Sequence, residues 1–134
     1  MEFSYKQKES KILGHILRPL VRLEIFSDNK KDWEIMDDVL VDTGADLTVL
    51  PRYIGESLMN DITLGEYVEI KGIVPTSILI AFIHKLKIKA AGKEFETKVA
   101  IADSNDVPPI LGRYGALDLF NIEFRKGTNI IFNE

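Results

Sequence analysis

The residues with the clearest chemical potential lie in Val39-Leu40-Val41-Asp42-Thr43-Gly44-Ala45-Asp46-Leu47-Thr48-Val49-Leu50-Pro51. An apolar run delivers one carboxylate into a Thr-Gly turn, and a second apolar run leaves it. A lone charge at the end of a buried strand is costly unless it is hydrogen-bonded. Gly44 lets the backbone turn tightly and turns amide N–H groups toward the carboxylate, and the Thr43 hydroxyl offers a neighbouring hydrogen bond. Held this way, Asp42 is either a structural turn residue or a poised acid or base; local chemistry leaves both open. A second segment, Pro108-Pro109-Ile110-Leu111-Gly112-Arg113, sets a short apolar strand before a glycine and an arginine. An arginine there calls for an anion, and Asp46, just past the Asp42 turn, is the natural partner. An ordinary strand junction with a solvated Arg113 is the alternative.

The elements that must position these residues are mostly strands, because the apolar residues recur with period two. Val21, Leu23 and Ile25 share one face of Leu20–Phe26. A polar turn over Ser27–Lys31 follows, and a second strand runs from near Trp33 into Val39-Leu40-Val41. His84–Ala90 alternates lysine with apolar residues and is expected to pair with Glu94–Val99 across Ala91-Gly92-Lys93, lysine facing glutamate. Two further hairpins are expected: Glu66–Gly72 with Ile78–Ile83, turning at Val74-Pro75-Thr76, and Ile122–Phe124 with Ile130–Phe132, turning at Lys126-Gly127. Two helices are expected, a short one around Arg52–Met59 and another over Arg113–Phe120. Residues 1–14 are set apart as an N-terminal arm without fixed structure, and 15–134 form the single domain.

Composition narrows the chemistry. A chain of 134 residues supports one core and one lobe. A net charge of −4 gives no electrostatic reason to expect nucleic acid or anionic lipid. With no cysteine, disulfide, thiolate and iron–sulfur chemistry are excluded, and two histidines are too few for an ordinary histidine-rich metal centre. No cofactor is expected. His15, His84 and the stripe Lys85, Lys87, Lys89 read as surface groups. The N-terminal residues lack the apolar core of a secretory signal and no stretch approaches a membrane span, so no membrane role is expected and the cytoplasm is the expected compartment.

Taken together, Asp42-Thr43-Gly44-Ala45-Asp46, the following Thr48-Val49-Leu50 and the downstream Ile110-Leu111-Gly112-Arg113 resemble the retropepsin-like aspartic proteases. The resemblance spans roughly Leu17 to Phe132. Leu111-Gly112-Arg113-Tyr114-Gly115 and Asp118-Leu119-Phe120 are closer to cellular members than to viral ones. It implies an all-β fold: a closed barrel with one short C-terminal helix, in a single lobe that pairs as a homodimer. It further implies an aspartic endopeptidase in which Asp42, Thr43 and Gly44 from each of two chains form the catalytic centre on a polypeptide substrate. Leu40, Ala45, Asp46, Val49, Gly72, Ile73, Val74 and Ile110 would meet substrate, and Gly112 and Arg113 would give structural support. The Glu69–Ile78 hairpin matches the family's flap, though Pro75 departs from its usual glycine-rich tip and stiffens it. One copy of Asp-Thr-Gly excludes a two-lobed monomer. A retropepsin-like module that binds peptide or dimerises without turnover is the second reading. A glycosidase with two carboxylates in one chain is a third, which spacing alone does not separate.

Overall fold

The computed structural model describes residues 1–74 and 76–134. Pro75, at the expected flap tip, lies outside the described residues.

The first strand of the core, β4 (Leu20–Ser27), buries Val21, Leu23 and Ile25. It is preceded by β1 (Glu2–Ser4), β2 (Lys6–Ser10) and β3 (Gly14–Arg18). It pairs antiparallel with β5 (Asp32–Val41). Opposite Arg22, between the pairs Val21↔Val39 and Leu23↔Met36, β5 carries two residues, Asp37 and Asp38, and Asp38 takes a positive φ of 62°. Such a bulge bends and twists the ribbon, which helps it curl into a barrel. The chain then turns at Asp42, makes β6 (Thr48–Leu50) and the single α-helix α1 (Arg52–Leu58), and continues as β7 (Glu66–Lys71), β8 (Ile78–Ala90) and β9 (Lys93–Ala102). The alternation expected from the sequence is the register found: Lys87 faces Glu96 and Lys89 faces Glu94. The outward lysines also use the aromatic rings beside them, with Lys89 Nζ 3.9 Å from the Trp33 ring centre and Lys87 Nζ 5.3 Å from that of Phe26.

Closure comes from two pairings. β8 returns to β4 at Leu23↔Ala90 through Ile25↔Ile88. On the other side β10 (Ile110–Leu111) inserts between β5 and β6, parallel to the first and antiparallel to the second. The order β4-β5-β10-β6-β9-β8, rejoined to β4, is a closed six-stranded barrel. Its interior holds Leu23, Ile25, Val39, Ile88, Val99, Ile101 and Leu111, all fully buried. Each such side chain contributes about 1.5–3 kcal/mol by leaving water. Closure leaves none of these six strands at an edge that would invite pairing with other chains. β11 (Asn121–Arg125) and β12 (Asn129–Asn133) form the last hairpin. Its turn places Lys126 at φ 47° and Gly127 at φ 69°, the left-handed pair that a two-strand twist favours.

Two regions differ from the sequence expectation. Where a helix is expected over Arg113–Phe120, the chain makes tight turns and one short 3-10 helix, Leu117–Leu119. Gly115 at φ 61° and Ala116 at φ −137°, ψ −91° interrupt helical geometry, while Ala116 and Leu117 are pulled into the core. The other expected helix is present as Arg52–Leu58, the one α-helix among the described residues. Residues 1–14, set apart as an arm, are built into strands. β1 adds to the edge of β12, with Phe3 edge-on to Phe132, and β2 and β3 form a hairpin whose second strand crosses the expected boundary.

That hairpin is tied to the barrel by Lys6 and Lys8, whose ammonium groups lie 2.6 and 2.8 Å from the two oxygens of Asp38. The hydrogen bonds from Lys6 and then Lys8 lower the Asp38 pKa from the usual carboxyl value. A depressed folded pKa gives stabilisation that is full above the unfolded value and is lost as pH falls through the folded one. Hairpin amides are therefore expected to lose protection, measured against their intrinsic exchange rates, as the pH drops below about 4. Asp38→Asn should show the same loss of protection already at neutral pH.

Candidate functional site

The strand order fixes the site. Because β10 lies between β5 and β6, the loop after β5 and the loop after β10 leave the barrel side by side. The backbone joins them directly. Asp42 N–H donates to the Leu111 carbonyl at 3.0 Å, Arg113 N–H to Ala45 O at 3.0 Å, and Tyr114 N–H to Asp46 O at 2.8 Å. Asp42 is half-buried, and its Oδ1 accepts the Gly44 amide at 2.9 Å. Thr43 is exposed beside it. The Arg113 guanidinium is ion-paired with the Asp46 carboxylate. Both side chains are substantially exposed, so the pair contributes little to stability, about 0–1 kcal/mol. Its effect is geometric: it holds the loop of one segment against that of the other.

Thr48 is the residue that sequence reading passed over. It is fully buried, and its Oγ1 accepts the Gly112 N–H at 3.1 Å. The available signal was one hydroxyl residue opening an otherwise apolar strand. Thr48→Val keeps the shape and leaves the buried Gly112 N–H without its acceptor, a cost of about 1–3 kcal/mol. A thermal melt of the variant checks this, with a drop of several degrees expected.

A cleft of about 870 Å³ opens over Asp42. On the barrel side it is lined by Asp42, Gly44, Ala45, Asp46, Leu47, Val49 and Ile110. On the other side are residues 69–73 of the β7–β8 hairpin, including Ile70, Gly72 and Ile73. The sequence expectation placed Ala45, Asp46, Val49, Gly72, Ile73 and Ile110 together, and the cleft brings these to one wall or the other. Leu40, Thr43 and Val74 do not line it: Leu40 sits in the sheet opposite Ile110, and Val74 is exposed at the hairpin end. Glu69, Ile70 and Lys71 of the hairpin expected as the flap also line it, and Leu47 joins the lining unforeseen. Beneath the hairpin, a small apolar cluster of Val49, Ala81, Ala100 and Ala102 supports Val68, Ile70 and Ile110. The floor is therefore apolar, with Asp42 and Asp46 as its acids.

Other candidates lie apart. Asp37 pairs with Arg22 at 2.9 Å, Asp38 with the two lysines, and Asp103 with Arg52. His15 is exposed, and the half-buried His84 places Nε2 2.7 Å from the Ile62 carbonyl. Among the described residues no group of three or more His, Cys, Asp or Glu could hold a metal ion, and no helix is long and apolar enough to cross a membrane.

No family model matches the chain, and no curated protein matches it. Among solved structures, the EIAV protease complexed with the inhibitor HBY-793 is similar, with a TM-score of 0.55 and 28% identity. The match covers 76% of this chain and 88% of that one. The fold is retropepsin-like. In that retropepsin-like frame, the closed barrel, the inserted β10 and the β7–β8 hairpin across the cleft are the parts that surround Asp42.

Proposed function

We propose that the protein is a homodimeric aspartic endopeptidase. The observation that carries this is a single half-buried Asp42, braced by the Gly44 amide on the floor of an apolar cleft, within a fold similar to a protease. Hydrolysis of an amide by carboxylates alone takes two of them, one ionised to take a proton from water and one protonated to donate to the scissile carbonyl. The chain supplies one Asp-Thr-Gly, so the second comes from another copy across a two-fold axis. Two like carboxylates brought that close share one proton and titrate as a unit. Water attacks directly, and no acyl-enzyme forms.

The other groups follow from their positions. Thr43, exposed beside Asp42, would bond across the axis to its counterpart and stiffen both loops. The Gly44 carbonyl, Ala45 and Asp46 would bind the extended backbone of a polypeptide. Val49 and Ile110, on the cleft floor, favour apolar side chains next to the cleaved bond, and Leu40 and Val74 border that region. Gly72 and Ile73 would close over substrate as a flap and exclude water. Gly112 and Arg113 hold the Asp42 and Asp46 loop in place. No metal or organic cofactor enters these steps, and the chemistry proceeds in the cytoplasm as proposed here, a location on which the absence of cysteine has no bearing.

The test is binding stoichiometry. A statine-containing peptide, whose hydroxyl mimics the attacking water, should bind with one inhibitor per two chains in titration calorimetry. One inhibitor per chain, or no binding, would contradict the shared site.

A further inference from the structure

We propose that the β2–β3 hairpin is a docking arm that grips the second copy of the chain. This rests on the dimeric reading above and adds a contact outside the cleft. Three observations carry it. First, among the described residues the strands of the hairpin pair with each other and with no other strand, and none of residues 6–18 joins either apolar cluster of the barrel, so its ties to the body there are the ion pairs to Asp38. An isolated two-stranded hairpin is marginal in water, so one held this way needs a surface to cover it. Second, it presents apolar side chains to solvent: at the tip Ile12 is 91% exposed and Leu13 65%, and nearer the base Leu17 is 45% exposed. The tip is preorganised. The Ser10 hydroxyl accepts the Leu13 amide at 3.1 Å and the Ile12 amide at 3.3 Å, and Gly14 turns the chain at φ 79°. A rigid apolar tip binds without paying to become ordered.

Third, position and charge select the occupant. The arm enters β4 through Pro19, whose carbonyl accepts the Val41 amide at 3.0 Å, one residue before Asp42. Its base therefore stands at the end of the barrel where half of the site is missing. Of the arm's cations Lys6 and Lys8 are held by Asp38 of the same chain, which leaves the exposed Lys11 and Arg18 against Glu9 to meet a partner, on a chain whose net charge is −4. The body of a second copy is acidic, so a basic arm with an apolar tip is drawn to it.

The experiment compares the full-length wild type with Ile12→Ser/Leu13→Ser, and with Lys11→Glu/Arg18→Glu as a charge variant. Sedimentation across a dilution series reads the dimer dissociation constant, and a melt at low concentration reads the monomer. Both variants should weaken the dimer by about tenfold or more while leaving the monomer melt unchanged. Dimerisation unchanged in both variants overturns the proposal. So does a result in which the variants lose binding to phosphatidylserine vesicles yet dimerise normally, because the arm would then serve a lipid surface. The two readings fail separately: a dimer weakened by these variants without any peptidase activity upholds the arm and removes the enzyme, and an active dimer indifferent to them does the reverse.

Discussion

Asp42→Asn is expected to yield a folded protein whose peptidase activity is lost by about 10²–10⁴-fold or more. Asparagine keeps the side-chain oxygen that accepts the Gly44 amide at 2.9 Å, so the turn survives. Asp42 is half-buried at the cleft surface and has no ion pair among the described residues, so its charge is not needed to hold the barrel. Stability should therefore stay within about 0.5 kcal/mol. The amide can neither take a proton from water nor share one with a second acid, and the chemistry stops. Turnover of a fluorogenic peptide with apolar residues at its centre, read beside a thermal melt, separates the two effects. Equal turnover by both proteins would leave the peptide-binding reading in place.

The largest structural effect is expected at Gly112. A Cβ built there would lie 2.3 Å from both the carbonyl carbon and oxygen of Leu47 and 2.8 Å from the Thr48 nitrogen. All three are backbone atoms, so no side chain can swing aside. Gly112→Ala must push β6 away from the loop, break the Thr48–Gly112 hydrogen bond and strain the Asp46–Arg113 link. Overpacking of this kind costs about 1–3 kcal/mol, and the upper end applies because the backbone must move. For a domain of this size the melting temperature should fall by roughly ten degrees. Gly44→Ala is the contrasting case: its Cβ would meet only Asp42 Oδ1 at 3.3 Å, so stability should change little while activity falls. If both variants melt like the wild type, the close approach of the two loops is not as described.

The site was legible in the sequence wherever chemistry is written in residue type. Asp42, Gly44, Asp46 and Arg113 declare themselves by charge and turn preference, and the lysine–glutamate alternation sets the β8–β9 register. What escaped reading depends on contacts made far along the chain. Thr48 matters only because β10 brings Gly112 to it. The segment after Arg113 has helix-compatible residues, yet burial of Ala116 and Leu117 with a left-handed Gly115 dictates turns. The β2–β3 hairpin gave no apolar period because its residues contribute to neither core cluster.

The central claim is that one active site needs an Asp42 from each of two chains, and mixing tests it most directly. Wild type and Asp42→Asn are combined in varying ratio at constant total concentration and left to exchange partners before assay. At equal amounts, about one quarter of randomly formed pairs carry both acids, so activity should fall to about one quarter of that of pure wild type. A fall to about one half, linear in the wild-type fraction, would mean that each chain works alone and would contradict the shared pair of carboxylates.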